Sequence, residues 1–300
     1  MNAATTRYLR PDILSRAEAL GLKAKQVVEG LRVGDHKSPF KGFSVEFVQH
    51  REYVPGDDIR HIDWKSYGRS ERYTIKQYEQ ETNFISHLLV DSSASMRYGA
   101  GETNKLEYAK LLAASLAYLI VRQRDSIGLR TFDEKWRTEL PPSSNLANIN
   151  AILHTLQDTQ PREKTNIGPL LDQVADVVSR RGIIVLISDA FDNIETLVKG
   201  LRHLRFRGHE VILFHIMHRD EVDFPLDGNI RFIGLEGFEE IMSRPHLLRP
   251  AYLKAVGEYL KDLQRACDSS GVDYVRLVTD KPLAGPLGEY LIRRLQVSRR

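Results

Sequence analysis

The sequence predicts an α/β fold: an open, doubly wound, mostly parallel sheet, preceded by an N-terminal helix and a small β-rich region. Two observations carry this. Five short apolar runs, Phe84–Val90, Ile127–Phe132, Ile183–Ile187, Val211–Met217 and Tyr274–Val278, alternate with helical stretches near Lys105–Arg124, Ala147–Leu156, Gly168–Arg181, Glu195–Arg207 and Ala251–Ser269. The runs are also nearly continuous in apolar character, as strands buried on both faces are, and helical crossovers make neighbouring strands parallel. Such sheets bind ligands outside the carboxyl ends of their strands, so the residues that follow each run matter most. Among them, Val90 leads into Asp91, and Ile187-Ser188 into Asp189.

The elements before the sheet have a different rhythm. Leu9, Ile13, Ala17, Leu20, Ala24, Val27 and Leu31 recur at three- and four-residue steps, with Pro11 suited to a first helical turn. The polar face mixes Asp12, Arg16, Glu18 and Lys25, so the apolar stripe is expected to pack on the rest of the chain and not on a membrane. From 33 to 82, Gly34, Gly42, Pro55, Gly56 and Gly68 punctuate short runs such as Phe43-Ser44-Val45-Glu46-Phe47, whose alternation suits half-buried strands. The expected organisation is 1–82 for helix and β-rich region, 83–283 for the sheet domain, and 284–300 for a C-terminal tail or helix.

Composition narrows the class. With 300 residues, 42% hydrophobic and 28% charged, the chain has the make-up of a globular protein with a sizeable core. Cys267 is the single cysteine, so no intramolecular disulfide can form. The N-terminus lacks the apolar run of a signal peptide and no stretch reaches the length of a membrane span, which leads us to expect a cytoplasmic protein. Residues 1–80 hold 14 Lys+Arg against 11 Asp+Glu, whereas 81–300 hold 29 of each, so the net charge of +3 resides in the N-terminal part. A mixed, solvated surface accounts for this excess, since no run of five like charges occurs.

The chemistry concentrates after the first core strand. Asp91-Ser92-Ser93-Ala94-Ser95 places a carboxylate and two hydroxyls on alternate residues, which point one way if the loop stays extended. Magnesium prefers hard oxygen ligands, takes six at about 2.0–2.1 Å and keeps several waters. Hydroxyls with few carboxylates suit it. With Asp91 as the main anionic ligand, the ion would keep surplus positive charge and attract a carboxylate from outside. Taken singly, these residues have commoner roles: Asp91, Thr165 and Asp189 as helix caps, and Ser93 and Ser95 as turn residues.

D-x-S-x-S after an apolar strand resembles the metal-ion-dependent adhesion site of von Willebrand factor A domains. The resemblance implies a threonine from a second loop and an aspartate from a third, the latter often acting through water. Thr165 in Lys164-Thr165-Asn166-Ile167-Gly168 and Asp189 after Ile187-Ser188 stand in the implied order. The expected magnesium site is therefore Asp91, Ser93, Ser95, Thr165 and Asp189.

A second resemblance covers Ser38–Phe47, the run Arg51-Glu52-Tyr53-Val54-Pro55-Gly56-Asp57-Asp58-Ile59-Arg60-His61-Ile62-Asp63-Trp64, and Arg72–Glu79. These are similar to the signature of the bacterial DUF58 family, and the likeness spans about residues 10–280. It implies association with a MoxR-type AAA+ ATPase, as an adaptor or co-chaperone. Within the signature, Arg51, Arg60, Asp63 and Trp64 are candidate partner contacts. Physically, Arg60, Asp63 and Trp64 read more readily as a salt-bridged, aromatic-capped scaffold, because Trp and Arg among strand residues usually pack.

Rival chemistries lack essential parts. A phosphohydrolase built on an aspartyl-phosphate needs a second acid two residues after its nucleophile, and Ser93 stands there. Gly99-Ala100-Gly101 lies near Lys105, but no G-x-x-x-x-G-K-[ST] exists to cradle phosphates. His209, His215 and His218 have spacings that put them on different faces of a strand, which disfavours zinc. Nucleic-acid binding through the basic N-terminal part, with Tyr53, Trp64 and Tyr73, is the alternative from another class. The sequence therefore points to a non-enzymatic, divalent-metal-dependent binding protein.

Overall fold

The computed structural model describes residues 45–54, 62–70, 72–80 and 85–298, apart from 123, 163 and 236–239. The helix expected over Leu9–Leu31, the Gly56-Asp57-Asp58 turn and Arg60 lie outside the described residues. The chain divides into two compact units, with His36–Asn83 as the smaller.

In the smaller unit, β1 (Val45–Glu52) pairs antiparallel with β2 (Thr74–Gln80), with an irregularity between Phe47 and Gln49. Between them runs a short helix, α1 (Trp64–Ser70), within the region expected to be β-rich. Asp63 explains it. Its Oδ1 accepts the backbone N–H groups of Lys65 at 3.0 Å and Ser66 at 3.2 Å, which satisfies donors that a helix start otherwise leaves unpaired. Tyr67 stacks on Tyr73 at 4.5 Å, and Trp64 meets Tyr67 edge-on at 6.2 Å.

The larger unit holds the expected doubly wound sheet. Its elements run β3 (Ile85–Asp91), α2 (Lys105–Arg122), β4 (Ser126–Phe132), β5 (Trp136–Ser143), α3 (Leu146–Asp158), α4 (Ile167–Val177) and β6 (Ile183–Ser188). Then follow α5 (Ile194–Phe206), β7 (Glu210–Met217), α6 (Arg219–Asp223), β8 (Ile230–Phe232), β9 (Ile241–Ser243), α7 (Pro245–Ser269), β10 (Asp273–Val278) and α8 (Ala284–Ser298). The six-stranded sheet has the order β10-β7-β6-β3-β4-β5, parallel except for β5. β8 and β9 form a separate two-stranded ribbon.

Burial on both faces explains the apolar runs. Leu88 and Val90 of β3, Val185 and Ile187 of β6, and Ile212 and Phe214 of β7 join one core with α2, α3 and α8. The alternate residues Leu89, Ile184, Leu186, Val211 and Leu213 join a second core with α4, α5 and α7. Each strand thus serves two cores through its period-two alternation. Residues Leu287, Tyr290 and Leu291 of α8 are buried in the first core, so the C-terminal helix belongs to the sheet unit.

This topology positions the site. The chain leaves β3 towards β4 on one side and returns to β6 on the other, so the strand order reverses between β3 and β6, where a crevice opens at their carboxyl ends. α4 and α5 approach closely there through Gly168: a Cβ on it would come within 2.8 Å of the Thr196 carbonyl oxygen. That contact fixes the start of α4, just after the loop carrying Thr165.

Candidate metal centre

Asp91, the last residue of β3, is fully buried. Its Oδ1 accepts the Ser93 N–H at 2.8 Å, its Oδ2 accepts the Ser188 hydroxyl at 2.5 Å, and the Thr165 hydroxyl lies 3.5 Å from both oxygens. The loop is extended at Ser93 and then turns into a 3-10 helix at Ala94–Arg97, so simple alternation does not carry through to Ser95. The turn nonetheless brings the Ser93 and Ser95 hydroxyls within 3.0 Å of each other. Ser92 points away, its hydroxyl donating to the Phe132 carbonyl at 2.8 Å. Ser93 and Thr165 therefore gather on the Asp91 carboxylate, with Ser188 as a further member that the sequence reading missed, and Ser95 joins them through the Ser93 hydroxyl.

Asp189 stands across the crevice. Its Oδ1 accepts the Phe191 N–H at 3.3 Å, the Ser95 hydroxyl bonds to the same carboxylate, and the Lys105 ammonium lies 2.7 Å from its Oδ2. Lys105 also lies 2.7 Å from Glu221 Oε1 and is buried. The backbone between β6 and α5 is strained at the site: Ala190 has φ of 50°, in the left-handed region. A cleft of about 220 Å³ opens beside these groups, lined by Ser95, Tyr98, Lys105, Asp189, Phe191 and Glu221 among others.

The helix-cap roles go elsewhere. Asn193 caps α5 by accepting the N–H groups of Glu195 and Thr196, and Asp192 accepts the Ile167 N–H at the start of α4 at 2.7 Å. Thr165 and Asp189 are thereby left for the crevice. Lys105 was recognised in the sequence only as a failed phosphate-loop lysine. The missed signal was its position: a cation at the first residue of a helix opposes the macrodipole and calls for nearby carboxylates.

Electrostatics separates the two aspartates. Burial, and then the charge of Asp189, push the Asp91 carboxyl up to about 7, against hydrogen bonds from Ser188 and Ser93 that pull it down. Burial also acts on Asp189, but the Lys105 charge and the hydrogen bonds from Lys105, Ser95 and Phe191 outweigh it and hold that carboxyl low. Burial would lower Lys105, yet Asp189 and Glu221 raise it, so the ammonium stays charged.

The residues fit a small hard cation. Among the described residues no three His, Cys, Asp or Glu side chains gather as metal ligands, so hydroxyls have to complete any coordination shell. One buried carboxylate ringed by hydroxyls is the donor set that magnesium accepts, with water filling the rest.

The other candidates are placed differently. Asp63 is buried and caps α1. Trp64 is 61% exposed, which corrects the expectation that it packs as scaffold: it opens α1, and its ring meets Tyr67 by an edge contact. Arg51 lies on β1, paired with Ile75. His209 and His215 are buried, bonded to the Val178 carbonyl and the Tyr274 hydroxyl, while His218 caps α6. The three histidines therefore serve three separate places.

Among the described residues no helix is long and apolar enough to cross a membrane. The chain is 26% identical, over 95% of its length and 90% of the other, to the uncharacterized protein Rv1480 of Mycobacterium tuberculosis. An aerotolerance-related membrane protein from Bacteroides fragilis aligns with a TM-score of 0.49 at 18% identity, over 71% of this chain and 99% of that one. The SpRpn10 VWA domain aligns with a TM-score of 0.39 at 13% identity, over 69% of this chain and 94% of the other. Residues 49–259 match the family described as "Protein of unknown function DUF58", and the chain belongs to that family.

Proposed function

We propose that this protein is a divalent-metal-dependent, protein-binding adaptor, and that its von Willebrand factor A-type site uses magnesium to engage an acidic residue of its partner. One observation carries the reading. Three adjacent strands, β4, β3 and β6, end at or just before a buried aspartate. Asp133 is ion-paired with Arg137 at 2.5 Å, and Asp189 with Lys105 at 2.7 Å. The central one, Asp91, has among the described residues only hydroxyl and N–H donors around it. A buried carboxylate without a cation is costly, and a bound ion removes that cost.

Asp91, Ser93, Ser95 and Thr165 would hold the ion, with Asp189 in the adjoining position. The ion supplies a positive centre at the mouth of the crevice, and a carboxylate from outside completes its shell. This is binding chemistry, not turnover, because Ser93 stands where a hydrolase would need its second acid. The partner that family resemblance suggests is a MoxR-type AAA+ ATPase or a client presented with it. In pull-downs, the full chain should capture that ATPase with magnesium and lose it on chelation, and folded Asp91→Ala and Ser93→Ala should fail to capture it. Capture by both variants at wild-type strength contradicts metal-bridged recognition.

A further inference from the structure

Lys105 is a fixed internal cation at the candidate site, and each of its contacts is accounted for. It is the first residue of α2 and buried, with its ammonium 2.7 Å from both Asp189 Oδ2 and Glu221 Oε1. Glu221 is itself anchored. Its Oε2 accepts the His218 N–H at 2.7 Å, its backbone carbonyl accepts the Tyr252 hydroxyl at 3.1 Å, and its neighbour Asp220 accepts the Tyr98 hydroxyl at 3.0 Å. The lysine therefore ties α2, the end of β6 and α6 together. Asp189 has little capacity left: Oδ2 faces the ammonium, Oδ1 faces the Phe191 N–H, and the Ser95 hydroxyl also bonds to the carboxylate.

We infer that Lys105 is a positioning residue that withholds Asp189 from the metal, so that the ion has Asp91 as its single protein carboxylate. The inference rests on the metal-site reading above and says how that site is tuned. An ion with two carboxylates would be held firmly and nearly neutralised. With one it keeps a surplus positive charge, binds the isolated chain more weakly, and gains most from a carboxylate brought by the partner. Metal affinity rises with the number of charged ligands, so the lysine trades affinity for the bare ion against affinity for ion and acidic partner together. The ammonium and the metal compete for one carboxylate.

The test is isothermal titration of magnesium chloride into the chelator-stripped full chain: wild type, Lys105→Met and Asp189→Asn, with folding followed by circular dichroism. Freed from the ammonium, Asp189 becomes a second carboxylate, and Lys105→Met should bind magnesium at least ~tenfold more tightly. A lysine with a purely structural role would not produce a gain. The gain should be absent when Lys105→Met is combined with Asp189→Asn, which should bind no more tightly than Asp189→Asn alone, because Asp189 is the carboxylate released. A folded Lys105→Met with unchanged or weaker affinity overturns the inference, as does a gain that persists in the double variant. If Lys105→Met does not fold, Lys105→Gln with and without Asp189→Asn makes the same comparison. Absence of magnesium binding in the wild type is a separate result, because it removes the metal-site reading itself.

Discussion

At the amino edge of the sheet, Glu210 opens β7 and Asp273 opens β10, and Arg294 from α8 reaches both: it is ion-paired with Glu210 and lies 3.3 Å from Asp273. Tyr290 completes that cluster, donating to Asp273 at 2.9 Å and receiving Arg294 at 3.0 Å. At the carboxyl edge, Asp91 closes β3 with hydroxyls and an N–H beside it and, among the described residues, no ion pair. Asp273 is half-exposed and partly served by water, whereas Asp91 is fully buried. One edge holds a compensated network whose work is structural. The other holds a carboxyl that burial and the charge of Asp189 raise to about 7, a perturbation of the kind concentrated at functional sites.

Breaking the amino edge should have the largest effect. Arg294→Met leaves the carboxylate of Glu210 buried without its cation and should destabilise the protein by about 3–5 kcal/mol, read as a shift of the urea midpoint at constant slope. An unchanged midpoint would mean that the network is not the balanced structure described here.

A second consequence concerns pH. Burial pushes the His87 imidazole on β3 down to about 4, with the charges of Arg130 and His209 adding to the effect. Arg130 on β4 faces it at 3.3 Å and is itself paired with Glu139 on β5. Between the ordinary value of 6.5 and about 4 the unfolded chain takes up a proton that the folded chain refuses. The contribution of His87 is therefore fully present above the ordinary value and is lost as pH falls through that window. It is on the order of 3 kcal/mol. Over the same window the Asp91 carboxyl, raised to about 7, adds stability as pH falls, and His215, also lowered by burial to about 4, loses it. The readout is therefore the difference between wild type and His87→Asn: on going from pH 7 to 4, the loss of stability to urea should be smaller in His87→Asn by about 3 kcal/mol.

The smallest effect belongs to the smaller unit. Asp63→Ala removes the α1 cap and should cost ~1 kcal/mol, seen as about fivefold faster hydrogen exchange of the α1 amides. Exchange in the sheet unit should not change.

The core of the fold was legible because buried parallel strands leave apolar runs. Ile127–Phe132, Ile183–Ile187 and Val211–Met217 match β4, β6 and β7 to within a residue at each end. β5 was missed. It carries Pro141-Pro142 and mixed polarity in place of an apolar run, and an antiparallel edge strand tolerates both. α7 begins at Pro245, earlier than the expected Ala251, with Pro250 inside the helix. The helix expected to reach Arg181 ends at Val177. At the site, Asp91, Ser93 and Ser95 were legible as spaced oxygens on one loop, and Thr165 and Asp189 through the family resemblance. Lys105, Ser188 and Glu221 were not, since their meeting depends on which strands lie side by side.

The central claim is that a divalent cation compensates Asp91. Its most direct test is the thermal melt of chelator-stripped protein with and without magnesium, for wild type and Asp91→Asn. At about a hundredfold excess over Kd, magnesium should stabilise the wild type by about 2.7 kcal/mol, a rise in Tm of roughly 5–10 °C for a unit of this size. Asp91→Asn should melt no lower than the metal-free wild type and show no response to the ion. A wild-type Tm unmoved by millimolar magnesium, or an equal rise in Asp91→Asn, would contradict the account.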